Sequence, residues 1–262
     1  MTDPHLRDSL RGGVPTGELE LVARITVASN ETYYARIGDT GVVYKPVEGE
    51  RPLWDFPDGT LAGREVAAWL VSETLGWHTV PRTWLRDGPL GPGMVQLWQD
   101  VDPDQSAVDV VPSNAVPVGW RRVFDGVDDD GRPVALAHED STALRRMAVF
   151  DVIVNNADRK GGHVLELPDG HRFGVDHGLT FHVEHKLRTV LWGWIGEDLD
   201  AEELAGLDRV RSALDGSLGA DLSELISAHE LDALAKRCER LARSARLPGP
   251  RGEFPSTPWP LF

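Results

Sequence analysis

The apolar residues of this chain change their spacing at about residue 98. Before that point, short apolar runs rich in β-branched residues are separated by turn-forming residues, which is typical of β-strands. One longer run, from Leu61 to Leu75, has helical spacing and is followed by Gly76, which favours a helix end. The pattern therefore predicts an amphipathic helix at 61–75 among strands, at residues 19–27, 33–38, 40–47 and, as a pair, 83–99.

Beyond residue 98 the spacing is mostly helical. Ser141 precedes an apolar run at 142–154 and is a residue type that commonly caps helix N-termini. Two further runs with helical spacing lie at 200–216 and 221–247. The second part of the chain is therefore predicted to contain three helices.

Residues 100–140 differ from both parts because they are acidic and rich in proline. Asp130-Gly131 favours a hairpin there, and we expect the rest of this stretch to form a solvated loop. Strands followed by helices predict an α+β fold with two lobes and a cleft between them. The expected domains are a strand-rich N-terminal lobe at 1–98 and a mostly helical C-terminal lobe at 99–262.

The net charge of -15 restricts the partners of this chain. An acidic surface repels nucleic-acid phosphates and anionic lipids, so we expect no nucleic-acid partner and no stable membrane insertion. The single cysteine, Cys238, excludes an intramolecular disulfide. Because no apolar run has the length of a signal peptide or a membrane span, the sequence predicts a cytoplasmic protein.

Two charged residues in the first part of the chain are candidates for a functional site. Lys45 ends an apolar strand, where a fixed positive charge suits a nucleotide phosphate. Glu65 lies on the following helix and can pair with that lysine. Each residue alone is also typical of a solvated surface position, so the hypothesis depends on the two together.

The segment after the 142–154 helix contains many ionisable groups between apolar runs. Asp158 can act as a general base, His163 follows five residues later as a metal ligand, and Arg159 and Lys160 add positive charge. Gly161 and Gly162 permit a sharp backbone path, and Asn155 and Asn156 offer hydrogen bonds to the loop or to a nucleotide. An ordinary turn at a helix end is the alternative interpretation.

Asp176 follows a short apolar run and precedes His177-Gly178. A carboxylate at a strand end can hold Mg²⁺ that bridges phosphates, and a turn residue is the alternative. The region also contains five histidines, which raises a third possibility, a transition-metal centre. The five are His163, His171, His177, His182 and His185. Their spacing does not match the helical pattern of histidine ligands in common zinc enzymes.

Together these motifs resemble those of the kinase superfamily in its compact, atypical branch. The stretch FDVIVNNADRKGGH is similar to the catalytic-loop region of phosphatidylinositol 3-/4-kinases and of HipA-type kinases, and VDHGLTF resembles the metal-binding stretch of type II phosphatidylinositol 4-kinases. Most of the chain, about residues 18–245, resembles an actinobacterial protein family distantly similar to phosphatidylinositol kinases. The resemblance implies a two-lobed protein-kinase-like fold and an enzyme that uses ATP with Mg²⁺ or Mn²⁺.

The resemblance also implies roles for individual residues. Lys45 would contact the α- and β-phosphates of ATP, and Glu65 would orient Lys45. Asp158 would be the catalytic base and Asp176 the principal metal ligand. Asp151, inside the preceding helix, would stabilise the loop without contacting the ligands.

The implied nucleotide contacts lie in the N-terminal part. Ser29 and Asn30, in the turn that takes the place of the phosphate-covering loop, would bond phosphates. The stretch from Met94 to Trp98 would be the connector against which adenine rests, with Gln96, Leu97 and Trp98 as contacts.

His163 departs from the pattern, because most kinases have asparagine there. Imidazole suits softer ions better than Mg²⁺, so the hypothesis is good acceptance of Mn²⁺ or a single tightly bound ion. The departure leaves open a non-catalytic nucleotide-binding pseudokinase and an enzyme that transfers AMP. The acceptor is expected to be a soluble protein or small molecule, because the chain has no basic amphipathic helix.

Overall fold

The computed structural model describes residues 13–26, 30–51, 53, 55–56, 61–251 and 255–262. Its N-terminal part forms a five-stranded antiparallel sheet in the order β1-β2-β3-β5-β4. Apolar residues alternate along the inner strands, as the pattern predicts, and one face of the sheet is buried. The strands are β1 (Leu19–Arg24), β2 (Tyr33–Ile37), β3 (Thr40–Pro46), β4 (Thr83–Gly88) and β5 (Gly91–Leu97).

Helix α1 (Leu61–Leu75) has the predicted bounds and ends at Gly76, whose φ of 72° only glycine adopts easily. The expected amphipathic character is wrong, because α1 is buried on nearly all sides. It packs against β4 and β5 on one side and against the C-terminal helices on the other. This packing places Glu65 between the sheet and the C-terminal helices.

The acidic stretch at 100–140 contains a three-stranded antiparallel sheet, so the expectation of a solvated loop is wrong. The sheet has the order β6-β8-β7, and β8 in its centre is buried from Ala135 to His138. The hairpin predicted at Asp130-Gly131 joins β7 to β8. Burial of the apolar residues of β8 explains why a stretch of acidic composition is ordered. The strands are β6 (Val108–Pro112), β7 (Trp120–Val127) and β8 (Pro133–Glu139).

Helix α2 (Thr142–Val154) has the predicted bounds, and the Ser141 hydroxyl caps it by accepting the Leu144 N–H at 3.2 Å. After it come a small hairpin and three more helices. The 221–247 run was expected to be one helix, but Ser227 and Glu230 form a capping box that starts a new one. These elements are β9 (Val164–Glu166), β10 (Arg172–Gly174), α3 (Ala201–Leu214), α4 (Ser217–Ser223) and α5 (Ala228–Ser244).

Two hydrophobic clusters hold these elements together. The smaller lies on one face of the first sheet and includes Leu19, Val42 and Tyr44. The larger joins α1 to the C-terminal helices, with Val66 and Phe150 in the same cluster. The protein is thus a mixed α+β structure, and its division into lobes at residue 98 stays a prediction. Among the described residues, none of the helices combines the length and apolar character that crossing a membrane requires.

Candidate functional site

Lys45, near the end of β3, lies at the meeting point of three distant segments. Its Nζ is 2.7 Å from Oε1 of Glu65 on α1 and 2.8 Å from Oδ1 of Asp176. Burial lowers the pKa of Lys45, but the carboxylates of Asp176 and Glu65 outweigh burial and hold this pKa above its usual range. Lys45 is therefore charged, and the pairing with Glu65 expected from the sequence is present.

Glu65 connects Lys45 to the segment around Asp176. Its second oxygen, Oε2, accepts the backbone N–H of His177 at 2.8 Å. The neighbouring Lys45 holds the pKa of Asp176 far below its usual range, although burial opposes this. Asp176 is therefore an anion, and its φ of 61° turns the chain sharply at this point.

The loop after α2, residues 155–163, is built on a fully buried ion pair. Arg159 Nη2 lies 2.9 Å from Asp151 Oδ1, and both side chains have 0% exposure. The Asn156 amide donates to the same Asp151 oxygen at 2.9 Å, while its Oδ1 accepts the Asp158 N–H at 3.0 Å. Asp151 and Asn156 thus support the 155–163 loop. The resemblance implies this position for Asp151, and a bond to the loop is one of the two uses expected of Asn156 from the sequence.

Arg159 has a different role from the expected one. The sequence suggested a positive charge beside a reacting phosphoryl group, but the guanidinium is enclosed. Its Nη1 donates to the carbonyls of His163 and Val175, each at 3.2 Å, and so joins the 155–163 loop to the Asp176 segment. Lys160 does lie beside the candidate base, with its Nζ 3.3 Å from Asp158 Oδ2.

Asp158, His163 and Asp176 form a cluster, which we call the Asp–His–Asp cluster, whose ligand atoms all lie within 4.8 Å of one another. The His163 Nδ1 lies 2.9 Å from the Asp158 carbonyl, which can only accept, so Nδ1 carries the proton. Nε2 then presents a lone pair 3.4 Å from Asp176 Oδ2. Two acceptors facing each other repel unless a cation lies between them, so the cluster fits a divalent metal ion.

Burial shifts the pKa values of His163 and Asp158 in opposite directions. It lowers the pKa of His163, which favours the neutral imidazole that binds metals. It raises the pKa of the Asp158 carboxyl, although the positive charge of Lys160 opposes the rise. Asp158 is therefore a stronger base than a solvated aspartate.

Gly161 and Gly162 do not provide the sharp backbone path expected of them. Positive φ angles occur at other glycines, while residues 161–163 form a short 3-10 turn. The reason for glycine at 161 is close approach, because a Cβ there would overlap the ring of Phe262. The Gly161 N–H also donates to the Leu261 carbonyl at 2.8 Å. The sequence carries no signal for this contact, since 100 residues separate the partners.

A cavity of about 310 Å³, the first cavity, opens beside these groups. Its walls include Lys45, Glu65, Asp158 and Asp176, so four predicted residues face one space. Asn30 also lines the first cavity, while Ser29 lies outside the described residues. Glu50 and Arg51 also line the first cavity, although no motif in the sequence marked them. Glu50 accepts the N–H groups of Leu61 and Ala62 and so caps α1.

The predicted adenine connector lies elsewhere. Gln96 and Leu97 belong to β5, whose backbone pairs with β3 and β4 in the middle of the sheet. The Leu97 N–H donates to Arg82 at 2.9 Å and the Trp98 N–H to Gly41 at 3.1 Å. These two N–H groups are engaged within the sheet, and nucleotide contacts by residues 96–98 stay a prediction.

The alternative centre built from five histidines does not form in the described part of the chain. His171 Nε2 bonds the carbonyl of His78 at 2.8 Å, and His177 Nε2 lies 2.6 Å from Arg159 Nη2. Burial and the neighbouring Arg159 hold the pKa of His177 well below its usual value. Of the five histidines, His163 alone belongs to a metal-like cluster among the described residues.

Comparisons with known proteins give two kinds of result. Two solved structures are weakly similar: the Helicobacter pylori proinflammatory kinase CtkA (TM-score 0.47, 11% identity, covering 88% of this chain and 93% of that chain) and HipA of Shewanella oneidensis in complex with HipB and operator DNA (TM-score 0.43, 13% identity, 87% and 72%). No protein-family model matches the chain. The resemblance to phosphatidylinositol 3-/4-kinases therefore stays a prediction.

A mycobacterial relative is much closer. Protein Rv2133c of Mycobacterium tuberculosis is 48% identical over 270 residues, which cover 98% of this chain and 97% of that protein. The expected relation to an actinobacterial family is confirmed. The chain belongs to the same family as Rv2133c.

Proposed function

We propose that the protein is an ATP-using, divalent-metal-dependent phosphotransferase with kinase-like chemistry. The observation that carries the proposal is the convergence of Lys45, Glu65, Asp158 and Asp176 on the first cavity. These residues come from β3, α1 and two separate loops. Phosphoryl transfer requires a lysine held in place by a carboxylate, a general base and a metal-binding carboxylate.

The Asp–His–Asp cluster would hold the metal through Asp176 Oδ2 and His163 Nε2. A bound divalent ion would neutralise charge on the phosphates. Because one of the two ligand atoms is an imidazole nitrogen, the site favours Mn²⁺ over Mg²⁺, which prefers oxygen. Lys45, which bonds Asp176 here, would turn its Nζ towards the phosphates when ATP enters.

Asp158 would take the proton in the transfer step. The hydroxyl oxygen of the acceptor attacks the γ-phosphorus of ATP, and the bond to the bridging β,γ-oxygen breaks, which releases ADP. The hydroxyl proton passes to the carboxylate of Asp158. Its burial supports this role, since a raised pKa makes a carboxylate a better base.

Measurements of ATP binding and of ADP formation, with Mg²⁺ or Mn²⁺, test the proposal. Asp158→Ala should retain ATP binding and lose ADP formation by about 10²-fold or more, the usual contribution of a general base. Lys45→Met should weaken ATP binding. The matched controls are Asp169→Ala and Lys236→Met, because both residues are exposed and lie outside the first cavity.

The outcomes separate the alternatives. ATP binding without ADP formation under either metal would favour a non-catalytic pseudokinase. Release of pyrophosphate with AMP attached to the acceptor would favour AMP transfer. Unchanged metal preference in His163→Asn would refute the proposed role of the imidazole. The cytoplasmic location and the soluble acceptor, a protein or a small molecule, remain proposals.

A further inference from the structure

A second cavity has a volume of about 650 Å³ and is lined by no residue of the 155–163 loop. One wall is the segment 182–188, and the others come from α1, α5, Asp55 and the chain near residues 251 and 255–256. The second cavity shares no lining residue with the first cavity and has about twice its volume. None of the groups assigned to phosphoryl transfer lines it.

The charged residues that line the second cavity carry a small net positive charge, although the protein carries a net charge of -15. Two of its acids are already neutralised, because Glu230 pairs with Arg64 and Asp55 lies 3.1 Å from Lys186 Nζ. The charged residues that line the cavity are Arg64, Lys186, Arg188, Arg251, Asp55, Glu184 and Glu230. Outside these two pairs, the lining contains two arginines, Arg188 and Arg251, and one glutamate, Glu184.

Arg188 joins this cavity to the candidate catalytic base. Its Nε donates to the Ala157 carbonyl at 2.7 Å, and its backbone carbonyl accepts the Arg159 N–H at 3.0 Å. Asp158 is the residue between these two contacts. The terminal nitrogens of Arg188 make no hydrogen bond to a described residue, so they remain available to a ligand.

The 182–188 wall is also held in place by Asn155. The Asn155 amide donates to the carbonyls of His182 and Glu184 at 2.9 and 2.6 Å, and its Oδ1 accepts the Lys186 N–H at 3.0 Å. A ligand bound to this wall would therefore have a fixed position relative to the 155–163 loop. Fixed positioning of two reactants is a large part of catalysis.

Arg251 supplies the second unpaired charge. It is exposed and forms no ion pair with a described residue. The His185 ring nearby shows the effect of this charge: burial lowers its pKa, and Arg251 lowers the pKa further. Two arginines around one concave space are a common arrangement for binding phosphate.

We propose that the second cavity binds a phosphate group on a soluble acceptor of metabolite size, on a wall that Arg188 ties to the backbone on both sides of Asp158. This inference rests on the proposed phosphotransferase function. A phosphate monoester carries nearly two charges, which matches Arg188 and Arg251. The negative net charge disfavours an anionic bilayer as the source of that phosphate.

Calorimetric titration with inorganic phosphate at low ionic strength tests the inference. The wild type should bind saturably, and Arg188→Gln and Arg251→Gln should each bind about tenfold more weakly or worse, because each removes a charge-assisted contact. Arg251→Gln keeps the test valid if Arg188→Gln disturbs the 155–163 loop. Arg243→Gln is the matched control, since Arg243 is an exposed arginine on α5 that does not line the cavity.

Two further arms separate this inference from the proposed function. Lys45→Met should retain phosphate binding while its ATP binding is weakened; loss of phosphate binding in this variant would place phosphate in the first cavity and overturn the inference. ATP binding without any phosphate binding overturns the inference alone. Phosphate binding that depends on both arginines, without ATP binding, supports the anion site and refutes the proposed function.

The source of the phosphate is tested with vesicles. Phosphatidylcholine vesicles that contain phosphatidylinositol phosphate are compared with vesicles of phosphatidylcholine alone. Binding to the vesicles without binding of free phosphate would overturn the proposal of a soluble acceptor. Binding of free phosphate without vesicle binding supports it.

Discussion

The Asp151→Asn substitution should destabilise the protein strongly although it changes few atoms. Asp151 and Arg159 form a fully buried pair, with two Arg159 nitrogens, Nε and Nη2, 3.0 and 2.9 Å from the carboxylate. Asparagine keeps the size of the side chain but removes its charge. Because arginine stays charged in a protein interior, the guanidinium would be left buried without a counter-charge.

The expected loss of stability follows from the burial of the Asp151–Arg159 pair. Removing one partner of a buried ion pair costs about 3–5 kcal/mol, a large part of the roughly 5–15 kcal/mol that stabilises a typical protein. For a chain of this size each kcal/mol lowers Tm by about 2–4 °C, so we expect a decrease of roughly 6–20 °C. The loss should extend to metal binding, because Arg159 holds the carbonyls of His163 and Val175.

Urea denaturation followed by circular dichroism measures the change. Asp198→Asn is the matched control, because Asp198 pairs with Arg246 at 2.6 Å but both side chains are exposed. An exposed pair contributes about 0–1 kcal/mol. A second variant, Asp151→Asn with Arg159→Gln, removes both charges but keeps amide groups that can bond the surrounding polar atoms, so it should be more stable than Asp151→Asn, in which the arginine charge is stranded.

Equal loss in Asp151→Asn and Asp198→Asn would refute the reasoning, because burial would then have no influence on the cost. A double variant no more stable than Asp151→Asn would show that the stranded charge is not the cause.

Two further predictions concern the C-terminal segment and pH. Gly161→Ala should displace the ring of Phe262, and because that ring is half exposed and can move, we expect faster proteolysis of residues 255–262 with only a small change in the free energy of unfolding. Gly162→Ala is its control and should be nearly neutral, since the nearest atom lies 3.9 Å from the added carbon; equal proteolysis of both variants contradicts the prediction. Burial lowers the pKa of His138, so the stability it contributes is present above about pH 6.5 and is lost as pH falls. In urea denaturation between pH 7.5 and 5, His138→Asn should therefore lose less stability than the wild type; His229→Asn, at an exposed position, should match the wild type. Parallel curves for all three proteins would refute this assignment.

The local sequence pattern was sufficient to predict the structure where contacts between residues close in sequence determine it. Helices α1 and α2 have their predicted bounds because Gly76 and Ser141 end and begin them through contacts within one turn. The hairpin at Asp130-Gly131 likewise depends on residues close in sequence. The capping box at Ser227 was present in the sequence but was overlooked within a longer helical run.

Other features depended on distant contacts that periodicity does not contain. Burial of α1 on all sides requires the sheet and the C-terminal helices to pack against it together. The second cavity depends on segment 182–188 folding back onto Asn155.

The sequence by itself determined the chemical inventory of the candidate site: a strand lysine, a helix glutamate, and Asp158, His163 and Asp176 in two loops. Only the tertiary structure decided how they are used. Lys45 and Asp176, 131 residues apart, are brought within 2.8 Å, and Arg159 is enclosed between two loops instead of facing the first cavity. The physical reason is that side-chain chemistry belongs to each residue, whereas burial and pairing belong to the packed chain.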